Sequence, residues 1–249
     1  MTKNQSLGLL LICLVTFGSF ATGCGRSLQK QASNNDLYQL VNRLESTDTP
    51  NSDKSSDVRF EPAQECMVCI KTAGAVAKAG HLKEAIRLYE KAQTLSPKDS
   101  GITRQLAPLY AQAGDFDRSI NAYQELMRTD GRDPEFLNNF AWTLMEGNQL
   151  EQAKALATNS LQSFPDSGNL ASTLAVIYYR LGNRQSAFEL FSKVYGEHAA
   201  HHNLAVLDID SKKEAPAKTH LEKAMSLKHN PLTAQLSNAI VESRSTTTR

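Results

Sequence analysis

Apolar and small residues recur along this chain with a 34-residue beat. Segments that begin at Cys66, Ser100, Pro134 and Gly168 lie 34 residues apart, and a further segment begins near His198 after a shortened interval of 30. With each start as position 1, position 8 is Ala73, Ala107, Ala141, Ala175 and Ala205. Position 20 is Ala85, Ser119, Ala153, Ala187 and Ala217, and position 24 is Tyr89, Tyr123, Ala157, Phe191 and Leu221. A fixed period of this length predicts repeated pairs of helices, with small residues where the two helices cross. One such pair cannot bury its apolar face alone, so neighbouring copies are expected to stack.

The second copy shows the pattern at residue level. Leu106, Ala107 and Tyr110 share one face of a first helix. Gly114 stands where that helix must end, and Asp115 stands where the next needs an N-cap. Ser119 and Tyr123 fall on the inner face of the second helix. Gly80, Gly114 and Gly182 hold the same turn in three copies, Asn148 holds it in another, and Lys212 replaces it in the fifth. Pro97 and Pro165 close two copies at position 32. The fifth copy also carries Asp208 at the usual aromatic position 11 and Pro216 in the first turn of its second helix. Beyond it, Leu232, Leu236, Ala239 and Ile240 at helical spacing predict a capping helix, so 231–249 is read as that helix and a frayed tail from Ser243 to Arg249.

These residues resemble the tetratricopeptide repeat family over the stretch from Cys66 to Asn230. The resemblance implies an all-α fold, an α-solenoid of about five helix-turn-helix repeats plus the capping helix. It also implies a protein-binding role without chemistry, although the family serves many unrelated adaptors.

The amino terminus reads as an export signal. Lys3 gives a basic start, Leu7 to Phe20 is an apolar run broken only by Gly, Ser and Thr, and Ala21-Thr22-Gly23-Cys24 follows. The run is short for a membrane span. The last four residues resemble a bacterial lipobox, which implies cleavage after residue 23 and acylation of Cys24. Ordinary secretory cleavage after Gly23 is the alternative. Gly25, in place of the Asp that commonly retains such lipoproteins in the inner membrane, favours an outer membrane facing the periplasm. Multiple acyl chains would anchor the protein stably. Residues 24–65 are expected to form a flexible tether. Leu37, Leu40, Val41 and Leu44 mark a short helix within it, and Ser46 to Ser56 is too polar to order itself.

Charge narrows the function classes. Lys and Arg total 27 against 26 Asp and Glu, and loss of Lys3 leaves the mature side chains balanced. No basic stripe points to nucleic acid. Phosphate-loop, dinucleotide and H-E-x-x-H motifs are missing. No catalytic residue, cofactor or metal is assigned.

Three constellations remain. Cys66-Met67-Val68-Cys69 lacks the βαβ setting of a redox motif and the further ligands of a zinc site. It is read as a disulfide across one turn or as two packing residues. His198, His201 and His202 lie within one turn of each other, and together with His220 they offer imidazoles for weak metal binding. They are read as interface or surface histidines. These two clusters carry the alternative function, a periplasmic redox or metal-handling protein.

The third constellation is the concave groove that the family resemblance implies. Its lining would include Arg104, Asn138, Trp142, Met145, Asn169, Val176, Tyr179, Arg180 and His202. Trp142, Met145, Val176 and Tyr179 would form an apolar strip flanked by charge, suited to a protein partner. Family members that clamp acidic peptide tails use further basic and Asn positions. Here Arg104 and Asn139 fit that pattern, but Pro108, Asn169 and Thr173 do not. Lipid-anchored relatives of this layout serve pilus or outer-membrane assembly. Asn138-Asn139-Phe140-Ala141-Trp142 and His202-Asn203-Leu204-Ala205 look most like the tight-adherence (Flp) pilus assembly lipoproteins. The partner expected on these grounds is an envelope protein.

Overall fold

The computed structural model describes residues 61–228 and 230–238, and the described residues are helical with no strand. The signal peptide, Cys24, the helix expected near 36–44 and the tail from 239 lie outside the described residues. The described chain falls into two compact units, divided in sequence between Arg132 and Asp133.

The first unit holds α1 (Pro62–Lys78), α2 (Leu82–Leu95), α3 (Ser100–Gln112) and α4 (Phe116–Asp130). The helices pack as hairpins α1–α2 and α3–α4, with α2 against α3. α1 starts four residues ahead of Cys66, because Pro62 suits the first helical turn. The second unit holds α5 (Pro134–Glu146), α6 (Leu150–Ser163), α7 (Gly168–Arg180), α8 (Arg184–Tyr195), α9 (Glu197–Asp210), α10 (Glu214–Leu227) and a short α11 at 231–238. Here the hairpins are α5–α6, α7–α8 and α9–α10, and α5 also packs on α7.

The same turn closes all five hairpins. Gly80, Gly114 and Gly182 have φ of +86°, +80° and +86°, while Asn148 and Lys212 adopt +61° and +58°. In each copy the next amide donates to a carbonyl five residues back, as in Asp115 N to Tyr110 O at 2.9 Å and Lys213 N to Asp208 O at 2.7 Å. That bond satisfies an orphan carbonyl at the helix end. Lys212 therefore follows the turn despite its side chain, at a cost of roughly 1–2 kcal/mol.

Capping repeats in the same way. Asp99, Asp115, Asp133, Ser167 and Asn183 each accept a hydrogen bond from an amide in the following turn. The shortened interval before α9 has a plain cause. Gly196, at φ +84°, is the single residue between α8 and α9, where earlier copies use a longer connection.

Burial follows the beat. The five Ala at position 8 and all five residues at position 20 are fully buried. Ser119 stands in for Ala because its Oγ donates to the Ala107 carbonyl at 2.6 Å across the hairpin. The residues at position 24 are buried beside them.

Candidate functional site: the α5–α7 face

α5 and α7 are the first helices of successive hairpins in the second unit. Asn138, Trp142 and Glu146 are four residues apart, so they share one side of α5. On α7, Asn169, Thr173 and Arg180 follow a matching stripe. Two bonds join the stripes. Thr173 Oγ1 donates to Asn138 Oδ1 at 2.7 Å. Arg180 pairs with Glu146 at 2.6 Å and reaches the Met145 carbonyl at 3.4 Å. Trp142 lies midway between these contacts, which are about 12 Å apart along α5. It is half-buried, with Asn169 and Arg180 exposed.

The expected apolar strip is not on the surface. Met145, Val176 and Tyr179 are all buried. Tyr179 shows the physical reason, since its hydroxyl reaches α9 and its neighbourhood rather than solvent. Of the expected strip, Trp142 keeps open area, in a polar frame of Asn and paired charge. His202 is also interior, with Nδ1 3.0 Å from Thr233 Oγ1 on α11. Arg104 belongs to the first unit, where it pairs at 2.5 Å with the buried carboxylate of Asp130.

A buried polar network lies behind the face. Asp208 has no exposure, yet its two oxygens take both Nη atoms of Arg184, one at 2.7 Å. Tyr179 donates to Asp208 Oδ1 at 2.7 Å and sits 3.2 Å from Ser211 Oγ. The Arg184 and Lys213 cations lie 5.1 and 5.3 Å from the Tyr179 ring centre. Burial pushes the Tyr179 phenol up. Sequence reasoning noted Asp208 at an aromatic position but not its partners. The usable signal was the charge itself, since a carboxylate at a core register demands a cation.

The histidines gather around α9. His201 Nδ1 is 2.9 Å from His220 Nδ1 on α10, and the His201 ring also packs at a tilt against Phe188 of α8, 4.7 Å between centroids. His198 Nε2 is buried without a hydrogen-bond partner. Among the described residues no group of three or more His, Cys, Asp or Glu is arranged to hold a metal ion.

Cys66 and Cys69 are free thiols buried in the core of the first unit. Of the two readings offered for them, this structure has packing residues. Cys66 Sγ donates weakly to the Ala92 carbonyl at 3.6 Å. Burial pushes the Cys69 thiol up, away from the thiolate a redox site needs. Replacing Cys69 with Ser puts a hydroxyl in an apolar site, and a loss of about 1–3 kcal/mol is expected in a urea melt. Loss of function without loss of stability would instead point to thiol chemistry.

Two stretches match profiles of the tetratricopeptide repeat, residues 76–141 and 138–202. Together they run over half of the chain, and the chain belongs to the tetratricopeptide repeat family. Its fold is the all-α class of that family. Among curated proteins, BBSome complex member BBS4 of Bos taurus is 27% identical over 110 residues, 44% of this chain. The chain spans about a fifth of that protein's length (21%). Among solved structures, MamA 41-end from Desulfovibrio magneticus RS-1 aligns with a TM-score of 0.53 at 16% identity, over 66% of this chain and 94% of that one. YrrB, described as a TPR protein with an unusual peptide-binding site, aligns with a TM-score of 0.50 at 14% identity, over 70% and 92%. At these identities the likeness is one of fold.

Proposed function

We propose that the protein is a non-enzymatic adaptor, lipid-anchored at Cys24 in the cell envelope, that holds a protein partner on the α5–α7 face. The observation that carries this reading is Trp142, half-buried between the two polar contacts that join α5 to α7. An aromatic anchor in a partly dry, polar-rimmed setting is the usual centre of a binding energy hot spot. The Asn138 and Asn169 amides flank it with donors and acceptors that can take partner backbone. The family supplies scaffolds of this kind, and the fold is shared with a solved protein described as having a peptide-binding site.

Export and acylation rest on residues 1–25 of the sequence. A pilus, secretion or outer-membrane assembly subunit is the partner class this location favours, and the short motifs around Trp142 and His202 favour the tight-adherence pilus group.

Trp142→Ala tests the reading. Its partial exposure limits the expected stability loss to about 1 kcal/mol, whereas partner affinity should fall at least about tenfold. The comparison is affinity capture with wild-type and variant protein, together with a thermal melt of each. Unchanged capture by a folded variant would remove the face from the account.

A further inference from the structure

Four of the six histidines converge on the last repeat, and the proposed adaptor function does not use them. His201 and His220 join α9 to α10 through facing Nδ1 atoms 2.9 Å apart. One nitrogen must donate and the other accept, so the contact needs at least one neutral ring. His202, fully within the core, joins α9 to α11 through Thr233, itself without exposed surface. His198 has a buried Nε2 with no acceptor for a proton placed there.

We propose that these imidazoles form a proton-sensitive latch that keeps the α9–α10–α11 end closed when neutral and releases it in mild acid.

The surroundings set the direction. Lys223 of α10 faces both His201 and His220, and Lys228 faces His198. Arg184 of α8 also opposes charge on His220. Two carboxylates act the other way, Glu197 on His201 and Asp208 on His220. Asp208 is already neutralised by Arg184, which takes both its oxygens. Among the described titratable groups, His198 is the one that acts on His202.

A first proton on the His201–His220 pair can be shared as an imidazolium–imidazole hydrogen bond. A second puts N–H on both facing nitrogens and breaks it. A charge on His202 would be buried beside Thr233 and His198, with no described carboxylate to offset it.

Burial is the leading cause, ahead of these charges, that holds all four histidines below their ordinary 6.5. The unfolded segment therefore binds protons that the folded one refuses. Above pH 6.5 the latch is at full strength. As pH falls below 6.5 toward the lowered folded values, the open state gains protons and the closed state weakens.

The test is hydrogen–deuterium exchange on the full chain at pH 7.5 and 5.5 in EDTA, corrected for the pH dependence of intrinsic exchange. Peptides from 197–238 should lose protection by at least about fivefold in acid, and reversibly, while peptides from 62–130 change less. The His201→Gln, His220→Gln double variant should lose part of that acid response. Equal protection ratios in both regions would overturn the proposal. Those variants also remove buried packing, so imidazole NMR titration of the unmodified protein supplies a second reading. Midpoints below 6.5 for His201, His202 and His220 are expected, and midpoints at or above 6.5 would overturn it.

Discussion

Asp208→Ala is expected to lower stability by about 3 kcal/mol, within the range for removing one member of a buried ion pair. Asp208 is the only described acid with no exposed surface, and it accepts from both Arg184 and Tyr179. Its removal strands the Arg184 guanidinium and leaves the buried Tyr179 hydroxyl with weaker partners in Ser211 and the Leu207 carbonyl. Arg184 is about one-third exposed at 34%, so water recovers part of its charge and the effect stays at the lower end of the range. Tyr179→Phe removes one neutral-to-charged bond and should cost about 1.5 kcal/mol. Urea midpoints at constant slope provide the comparison. A loss below about 1 kcal/mol for Asp208→Ala would mean that the carboxylate is hydrated and the network is not closed.

Phe191→Ala is expected to cost about 3–5 kcal/mol, the largest effect of any apolar truncation on this scale. Phe191 is among the largest fully buried side chains, at position 24 of the fourth copy. Its loss opens a cavity that the surrounding helices close only in part. The third copy carries Ala157 at the same register, also fully buried. Alanine is therefore compatible with the backbone there, and the penalty in the fourth copy comes from unfilled volume. A calorimetric melt that moves by only a degree or two would show that α7 and α8 collapse into the gap.

The repeat made much of the fold legible. Position 8 and position 20 carry small residues because two helix backbones approach closely there, and all ten are without exposed surface. Ser119 fits because its hydroxyl finds a carbonyl across the crossing. The turn was readable from three glycines and an asparagine. Lys212 at the same place shows that the helix-ending hydrogen bond outweighs the side chain's preference.

The site was less legible, because register tells which way a side chain points but not how far the next helix covers it. Met145, Val176 and Tyr179 have the register of the groove and the burial of the core. Trp142 and Asn169 keep open area at comparable registers. The partnerships between Asp208 and Arg184, and between His201 and His220, join residues 24 and 19 positions apart. No periodicity marks such pairs. Only the presence of polar groups at core registers hinted that partners must exist.

The central claim is that a protein partner sits on the α5–α7 face. The most direct test is photo-crosslinking in living cells with the probe at Asn169, which is exposed beside that face, followed by mass spectrometry of the adducts. A control probe goes at Gln152, exposed on α6. The account predicts a dominant adduct to one envelope protein at Asn169, weak or none at Gln152, and loss of that adduct in Trp142→Ala. Equal adducts at both positions, or an Asn169 adduct that persists without Trp142, would contradict it.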